Sequence, residues 1–286
     1  MNLKEIKQKY DALDNSMYGA KNIVDSLAML YHENSKFNTH SMRKQGEKIY
    51  AFSNPYIFAR SSQPFKCYPN AERIDLSVYQ QELPEIDMFK IMRERRSLRM
   101  YNPEYKLSLN ELNIILHQSY GVQEWSAPIG SENEGKFGLR NVPSGGGLYP
   151  LEMYVVILNA HIPSGLYHFR PDQQSLEVIK EGDFAEELLG IVQAEPYVKL
   201  GDASAVVITT GMIERVIMKY GDRGYRFLMQ ESGFVGMQVS LITEGIGLGS
   251  CMLGGYNDDF LNEFLGIDGV FETVNNVITI GGKPKS

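Results

Sequence analysis

Two short apolar runs, residues 166–169 and 176–179, flank Pro171, Asp172, Gln173 and Gln174. This stretch constrains the fold more than any other. A turn segment between two β-type runs predicts a hairpin, so part of any sheet must be antiparallel. Further β-type runs at 151–158, 205–210, 251–253 and 277–280 are separated by stretches with helical spacing. A helix is predicted over 85–95. Another opens at Ser108, where Glu111 stands at capping-box distance, continues through Leu112, Ile115 and Leu116, and stops at Gly121. Asp183 with Glu186 opens a helix to about 193, residues 223–245 suffice for six turns, and Asn257 caps a short helix through 264. Strands and helices do not alternate as βαβ units. The expected class is α+β, a mixed, mostly antiparallel sheet flanked by helices.

The chain divides, on this reading, into an N-terminal extension over 1–85 and a main domain over 86–286. The extension is helical in patches such as 20–31 and is interrupted by Pro55, Pro64 and Pro69. It is a candidate partner or dimer contact. A net charge of −7 argues against a generally basic nucleic-acid surface. No run of about 18 apolar residues occurs, so no membrane span is expected, and the first residues lack the layout of a secretion signal. Cys67 and Cys251 are the two cysteines. Two distant thiols fit a reducing compartment, and the expected location is cytoplasmic. The five histidines form no metal-ligand spacing, and no metal site is expected. His32-Glu33 lacks the second histidine of a zinc motif, since Lys36 holds that position. Gly245, Gly247 and Gly249 follow a helix and precede a strand, the reverse of a dinucleotide loop.

Arg95, Ser97 and Arg99 alternate at spacing two. In an extended segment they share one face, two guanidiniums and a hydroxyl, which suits a phosphate. A solvated basic face at a helix C-terminus accounts for the same residues. Just before the first strand stand Pro143, Ser144, Gly145, Gly146, Gly147, Leu148, Tyr149 and Pro150. Three glycines let backbone amides approach a flat or anionic ligand, and the prolines restrict the loop at both ends.

Together, Arg95-Arg96-Ser97-Leu98-Arg99 and the Pro143–Pro150 motif resemble the nitroreductase superfamily. Lys219-Tyr220-Gly221-Asp222-Arg223-Gly224-Tyr225-Arg226, Gly247-Leu248-Gly249 and Gly254-Gly255-Tyr256-Asn257-Asp258 are similar to its azoline dehydrogenase branch, the SagB type. The resemblance covers about 88–286, with a less specific echo in Tyr31-His32-Glu33-Asn34-Ser35-Lys36. It implies FMN as cofactor and an intertwined homodimer with the flavin at the subunit interface. By that resemblance Arg95, Arg96, Ser97 and Arg99 hold the phosphate and ribityl chain, with Lys283 or Lys285. Pro143, Ser144, Gly145, Gly146, Gly147 and Leu148 lie along the ring, and Gly254 and Gly255 approach it by backbone. Gly233 and Gly236, in the long helix, fit close packing in a dimer or within one chain.

The implied reaction converts a thiazoline or oxazoline to its azole. A hydride leaves one ring carbon for the flavin and a base takes a proton from the next. Lys219 and Tyr220 match the branch's catalytic pair. Either is the base; a lysine base needs its pKa lowered by burial or by nearby cations such as Arg223 and Arg226. Adjacent helical residues do not share a face, so the pair is expected in the loop before the long helix. The substrate is an azoline-containing peptide or a carrier-bound intermediate, supplied by a separate cyclodehydratase or a non-ribosomal assembly line, with oxygen as final oxidant. An NAD(P)H-dependent nitro- or quinone reductase and a non-catalytic flavoprotein scaffold are the competing readings.

Overall fold

The computed structural model describes residues 2–5, 26–54, 56–57, 65–79, 83–126 and 137–285. Its centre is a seven-stranded sheet of β1 (Arg73–Asp75), β4 (Leu151–Ile157), β5 (Gly165–Arg170), β6 (Ser175–Glu181), β7 (Ala205–Met212), β8 (Leu248–Leu253) and β9 (Glu272–Gly282). The strand order is β1-β6-β5-β4-β7-β9-β8, and each of these neighbouring pairs is antiparallel. A separate two-stranded ribbon joins β2 (Val122–Ser126) to β3 (Phe137–Arg140). The α+β class and the β5–β6 hairpin are as the sequence predicts.

β4 is buried along its whole length because both faces are covered. Leu151, Met153, Val155 and Ile157 pack against α4 (Leu109–Tyr120) and α7 (Asp222–Gly245), through Leu112, Ile115, Leu228 and Val235. Tyr154 and Val156 face the other way, toward α5 (Ala185–Ile191) and α8 (Asp258–Leu265), through Leu188, Ile191, Leu261 and Phe264. Other helices among the described residues include α1 (Leu27–Asn34), α2 (Thr39–Ala51), α3 (Met88–Glu94) and α6 (Ile213–Tyr220). Among the described residues no helix is long and apolar enough to cross a membrane.

Local chemistry sets the element ends. Ser108 and Glu111 form the expected capping box on α4, and Asn257 caps α8 by accepting from Phe260 N. The helix expected over 85–95 is shorter, because the Asp87 carboxylate takes the Lys90 amide at 3.0 Å and starts the helix there. The helix expected to reach 193 ends at Ile191, since Val192 turns extended and bridges Tyr256. Of the 20–31 patch, 20–25 lie outside the described residues, as do Pro55 and Pro64; Ser26 caps α1. β1 extends the main sheet through β6, so residues 73–75 pack with the strands that follow.

One face of the sheet carries buried charge. His168 on β5 stands between Glu152 Oε2 at 3.1 Å and Glu177 Oε2 at 3.0 Å, and all three are almost inaccessible. Burial alone pulls the imidazole pKa down; hydrogen bonds and charge from both carboxylates outweigh it, so the ring is held protonated. Arg215 pairs with Glu152 at 2.5 Å, and Arg170 with Glu177 at 3.1 Å. Burial raises the Glu152 pKa, but Arg215 first and then His168 and Arg140 bring it to about 2. Because the His168 pKa is raised on folding, its stabilisation is complete below the unfolded value of about 6.5 and is lost as pH climbs through the folded value. His168→Gln should therefore cost roughly 3–5 kcal/mol at pH 6, because it leaves buried carboxylates short of a cation. Urea unfolding from pH 6 to 9 checks this: wild type should lose stability with rising pH, and the slope should be shallower in the variant, where the part that Glu231 contributes remains.

Candidate active site

The strip that begins at Arg95 leaves the helix as its spacing predicts. Arg95 has ψ 123°, Ser97 makes a parallel bridge to Ser250, and Leu98 N donates to Ser250 O at 2.9 Å. Leu98 packs onto Gly249, where a Cβ would stand 2.2 Å from Leu98 Cδ2. Arg95, Ser97 and Arg99 alternate with it along the outer edge of β8. Ser97 and Arg99 both act on the Cys251 thiol. Burial raises that thiol's pKa, while Arg99 and Ser97 pull it back. Arg96 does not join the strip: its Nη1 donates to Arg93 O and Arg95 O, both at 2.8 Å, and closes the end of α3.

The two terminal lysines are also separated. Lys283 follows Gly282, the register partner of Leu248 at the start of β8, and pairs with Glu244 at 2.7 Å. Lys285 is highly exposed and pairs with Glu104 at 3.1 Å.

The glycine loop adopts one tight turn over Gly145–Gly147, with φ of 67° at Gly146 and 68° at Gly147. Both are left-handed values that favour glycine. Ser144 Oγ accepts from Tyr149 N at 2.8 Å, and Leu148 and Tyr149 sink into the core. Gly145 lies on the Phe227 ring, Gly147 has open space above it, and Pro143 is exposed. A Cβ on Gly146 would meet Tyr220 Oη at 2.3 Å and Lys219 Nζ at 2.8 Å. The phenol and the amine therefore converge on the backbone of one glycine.

Lys219 and Tyr220 occupy the last turn of α6, not a loop. Gly221, at φ 55°, breaks the chain before α7 begins. That helix went unrecognised because Ile213, Val216 and Ile217 follow β7 directly and prolong its β-branched pattern. Burial lowers the Lys219 pKa and raises that of Tyr220. The expected help from Arg223 and Arg226 is not seen. Arg226 Nε donates to Ser35 Oγ at 2.8 Å, and Arg223 Nη1 to Ser35 O at 3.3 Å, so both guanidiniums turn to the N-terminal segment.

Gly254 and Gly255 leave β8 at the same end of the sheet from which the glycine loop enters β4 and α6 leaves β7, as the register fixes. Gly254 is open, whereas Gly255 O accepts from Gln193 N at 2.8 Å. The Arg95 strip, beyond the edge strand β8, lies four strand spacings from β4, roughly 19 Å. One chain thus unites the loop with Lys219 and Tyr220 but leaves the strip on a separate edge.

Behind the loop lies a group the sequence reading missed. Glu231, buried in α7, accepts from Tyr120 Oη at 2.6 Å and faces Ser144. Burial pushes its carboxyl up to about 7, against the pull of Ser144, Tyr120, Arg140 and Arg215. Arg140 stacks at 4.1 Å over Tyr120, and its buried guanidinium nitrogens have no hydrogen-bond partner among the described residues. The signal for Glu231 was a carboxylate on the apolar stripe of Leu228 and Val235. Among the described residues, no three His, Cys, Asp or Glu side chains are grouped to hold a metal.

The sequence profile of the Nitroreductase family matches residues 92–282. Protein MJ1384 of Methanocaldococcus jannaschii, which bears a nitroreductase name, is 32% identical over 190 residues, 65% of this chain and 89% of its own. The microcin B17-processing protein McbC of Escherichia coli is 28% identical over 134 residues, 45% of this chain and 49% of its own. A solved structure from Anabaena variabilis, also named as a nitroreductase, aligns at a TM-score of 0.69 and 26% identity, covering 89% of this chain and 46% of that one. The E. coli microcin synthetase McbBCD complex with truncated pro-MccB17 shares the fold, at a TM-score of 0.54 and 18% identity over 91% of this chain and 99% of the other. With two thirds of its length matched by the family profile, this chain belongs to the nitroreductase family.

Proposed function

We propose that the protein is an FMN-dependent dehydrogenase that oxidises thiazoline or oxazoline rings in a peptide to the azoles, as a homodimer. The observation that carries this reading is the convergence of Lys219 Nζ and Tyr220 Oη on Gly146. A half-buried amine with a lowered pKa beside a glycine cradle is what ring deprotonation next to a flat cofactor requires. The similarity to a microcin-processing protein supports a peptide substrate. A separate cyclodehydratase would supply the azoline, or an assembly line would present it on a carrier, and oxygen would serve as terminal acceptor.

The residues present fit FMN. The glycine turn is open at Gly147 and has no side chain of its own to obstruct a ligand, and the Arg95–Ser97–Arg99 face offers the donors a phosphate needs. Bound FMN would supply a hydride acceptor. Lys219 or Tyr220 would take the proton from the adjacent ring carbon, while Ser144, Gly145, Gly146, Gly147 and Leu148 hold the ring's edge. Gly254 would add its backbone and Lys283 its ammonium.

The distance between strip and loop supports a site completed by a second copy. α7 exposes Met229, Phe234 and Met237 on one side, with Gly233 open between them. Such an apolar face suits a subunit contact. Gly236 has a different role: Met252 Sδ and Asn276 Nδ2 of the same chain would each stand 2.6 Å from a Cβ there.

Arg95→Ala and Arg99→Ala should each weaken FMN binding about tenfold to a hundredfold, the loss expected for a charge-assisted hydrogen bond. Lys285→Ala should leave it unchanged; flavin fluorescence titration reads both. Lys219→Ala with Tyr220→Phe should keep the flavin yet lower azole formation by roughly 10²–10⁴, followed by mass spectrometry of a thiazoline peptide. Under anaerobic stopped flow the peptide should bleach the flavin. Fast bleaching by NADPH with none by the peptide would favour a nitro- or quinone reductase instead; MJ1384 carries a nitroreductase name. Phe234→Glu should give monomers in sedimentation and lose flavin with them; a flavin-loaded monomer would refute the shared site.

A further inference from the structure

The N-terminal segment packs directly on the corner that carries Lys219. Gln45, buried on α2, donates through Nε2 to the Lys219 carbonyl. That carbonyl lies in the last turn of α6, where backbone acceptors lack partners within the helix. Phe52, at the end of α2, sets its ring centroid 5.0 Å from Lys219 Nζ. Beyond Gly221 the grip continues. Tyr31 Oη donates to Asp222 O at 2.9 Å, and Arg226 Nη2 to His32 O at 2.7 Å. Arg223 lies 5.1 Å over Phe37. Both sides of the corner are therefore held from residues 31–52.

We propose that this segment is a wall of the catalytic site, in which Gln45 and Phe52 are positioning residues that fix the Lys219 amine over the glycine loop. The proposal rests on the reading of Lys219 as the proton acceptor. Gln45 holds the last turn of α6 by its backbone, and the Phe52 ring covers the ammonium. An aromatic face returns part of the lost hydration of a cation. Burial nevertheless dominates and favours the neutral amine. The ionisable groups near it are the Tyr220 phenol on α6 and Lys48 on α2, whose Nζ reaches the Gly221 corner; Arg223 on α7 points to Ser35 and Phe37 instead. No carboxylate contributes to the shift. From the glycine loop the Gly146 backbone faces the amine.

The test is competitive acetylation of Lys219 in the full-length, flavin-loaded protein. Labelling is read by peptide mass spectrometry from pH 7 to 11, beside steady-state turnover. Wild-type Lys219 should label with an apparent pKa below the ordinary lysine value of about 10.4. Phe52→Ala should raise it by about one pH unit, a tenfold loss of neutral amine at pH 8, and Phe52→Tyr should restore it. If the alanine variant does not fold, Phe52→Gln keeps the bulk, adds a polar group and should shift the same way. Gln45→Ala should lower kcat about tenfold at unchanged KM, because it disorders the amine without touching the substrate. Unaltered labelling in Phe52→Ala together with unaltered turnover in Gln45→Ala would overturn the proposal. A shifted labelling pKa in a protein that oxidises no azoline would uphold the wall and sink the azoline reading instead.

Discussion

The covering of β4 and β7 on both faces is the constraint on which the rest depends. A strand buried on one side can slip by two residues at modest cost; one buried on both sides cannot slip without unpacking two cores. The β4–β7–β9 register is thereby fixed from Leu151 against Gly211 through Gly211 against Thr273. That register decides which connections leave at which end of the sheet. The glycine loop, α6 and the Gly254 turn emerge together because the antiparallel strands that bear them are locked in phase, not because these segments bind one another strongly.

The second consequence is electrostatic. A sheet with two covered faces has no wet side for its polar residues, so the charges it carries must neutralise one another internally. Glu152, His168, Glu177, Arg170 and Arg215 do so as a chain of alternating sign. The chain ends near Arg140 and Glu231, where neutralisation is incomplete and the carboxyl is pushed toward neutral pH. Incomplete pairing is costly in a core, and here it is concentrated directly behind the candidate site, the usual place for perturbed groups.

Local signals were legible in the sequence and long-range ones were not. The spacing of Arg95, Ser97 and Arg99 specified an extended strip, the Ser108 and Glu111 pair fixed a helix start, and the β5–β6 turn was recognisable from its residues. Each depends on neighbours a few positions away. β1 was invisible because its partner β6 lies some hundred residues on, and a three-residue strand has little pattern of its own. Arg96 and Lys285 looked equivalent to their neighbours by residue type; only the helix end and Glu104 distinguish them. Gly233 and Gly236 looked alike, yet one is open and the other is filled by Met252 and Asn276. Glu231 was readable only as a carboxylate out of place on an apolar stripe.

Gly221 joins α6 and α7 by a single residue at φ 55°. With no slack between them, the two helices are geared: each residue of α-helix adds about 100° of rotation. Adding or deleting one residue between Tyr220 and Asp222 would turn Lys219 away from Gly146, or turn Met229 and Phe234 away from the surface they now occupy. The spacing between the amine and the exposed apolar face is thus a fixed length in the chain. Any relative that keeps both features must keep that length as well, whatever substitutions it tolerates along either helix.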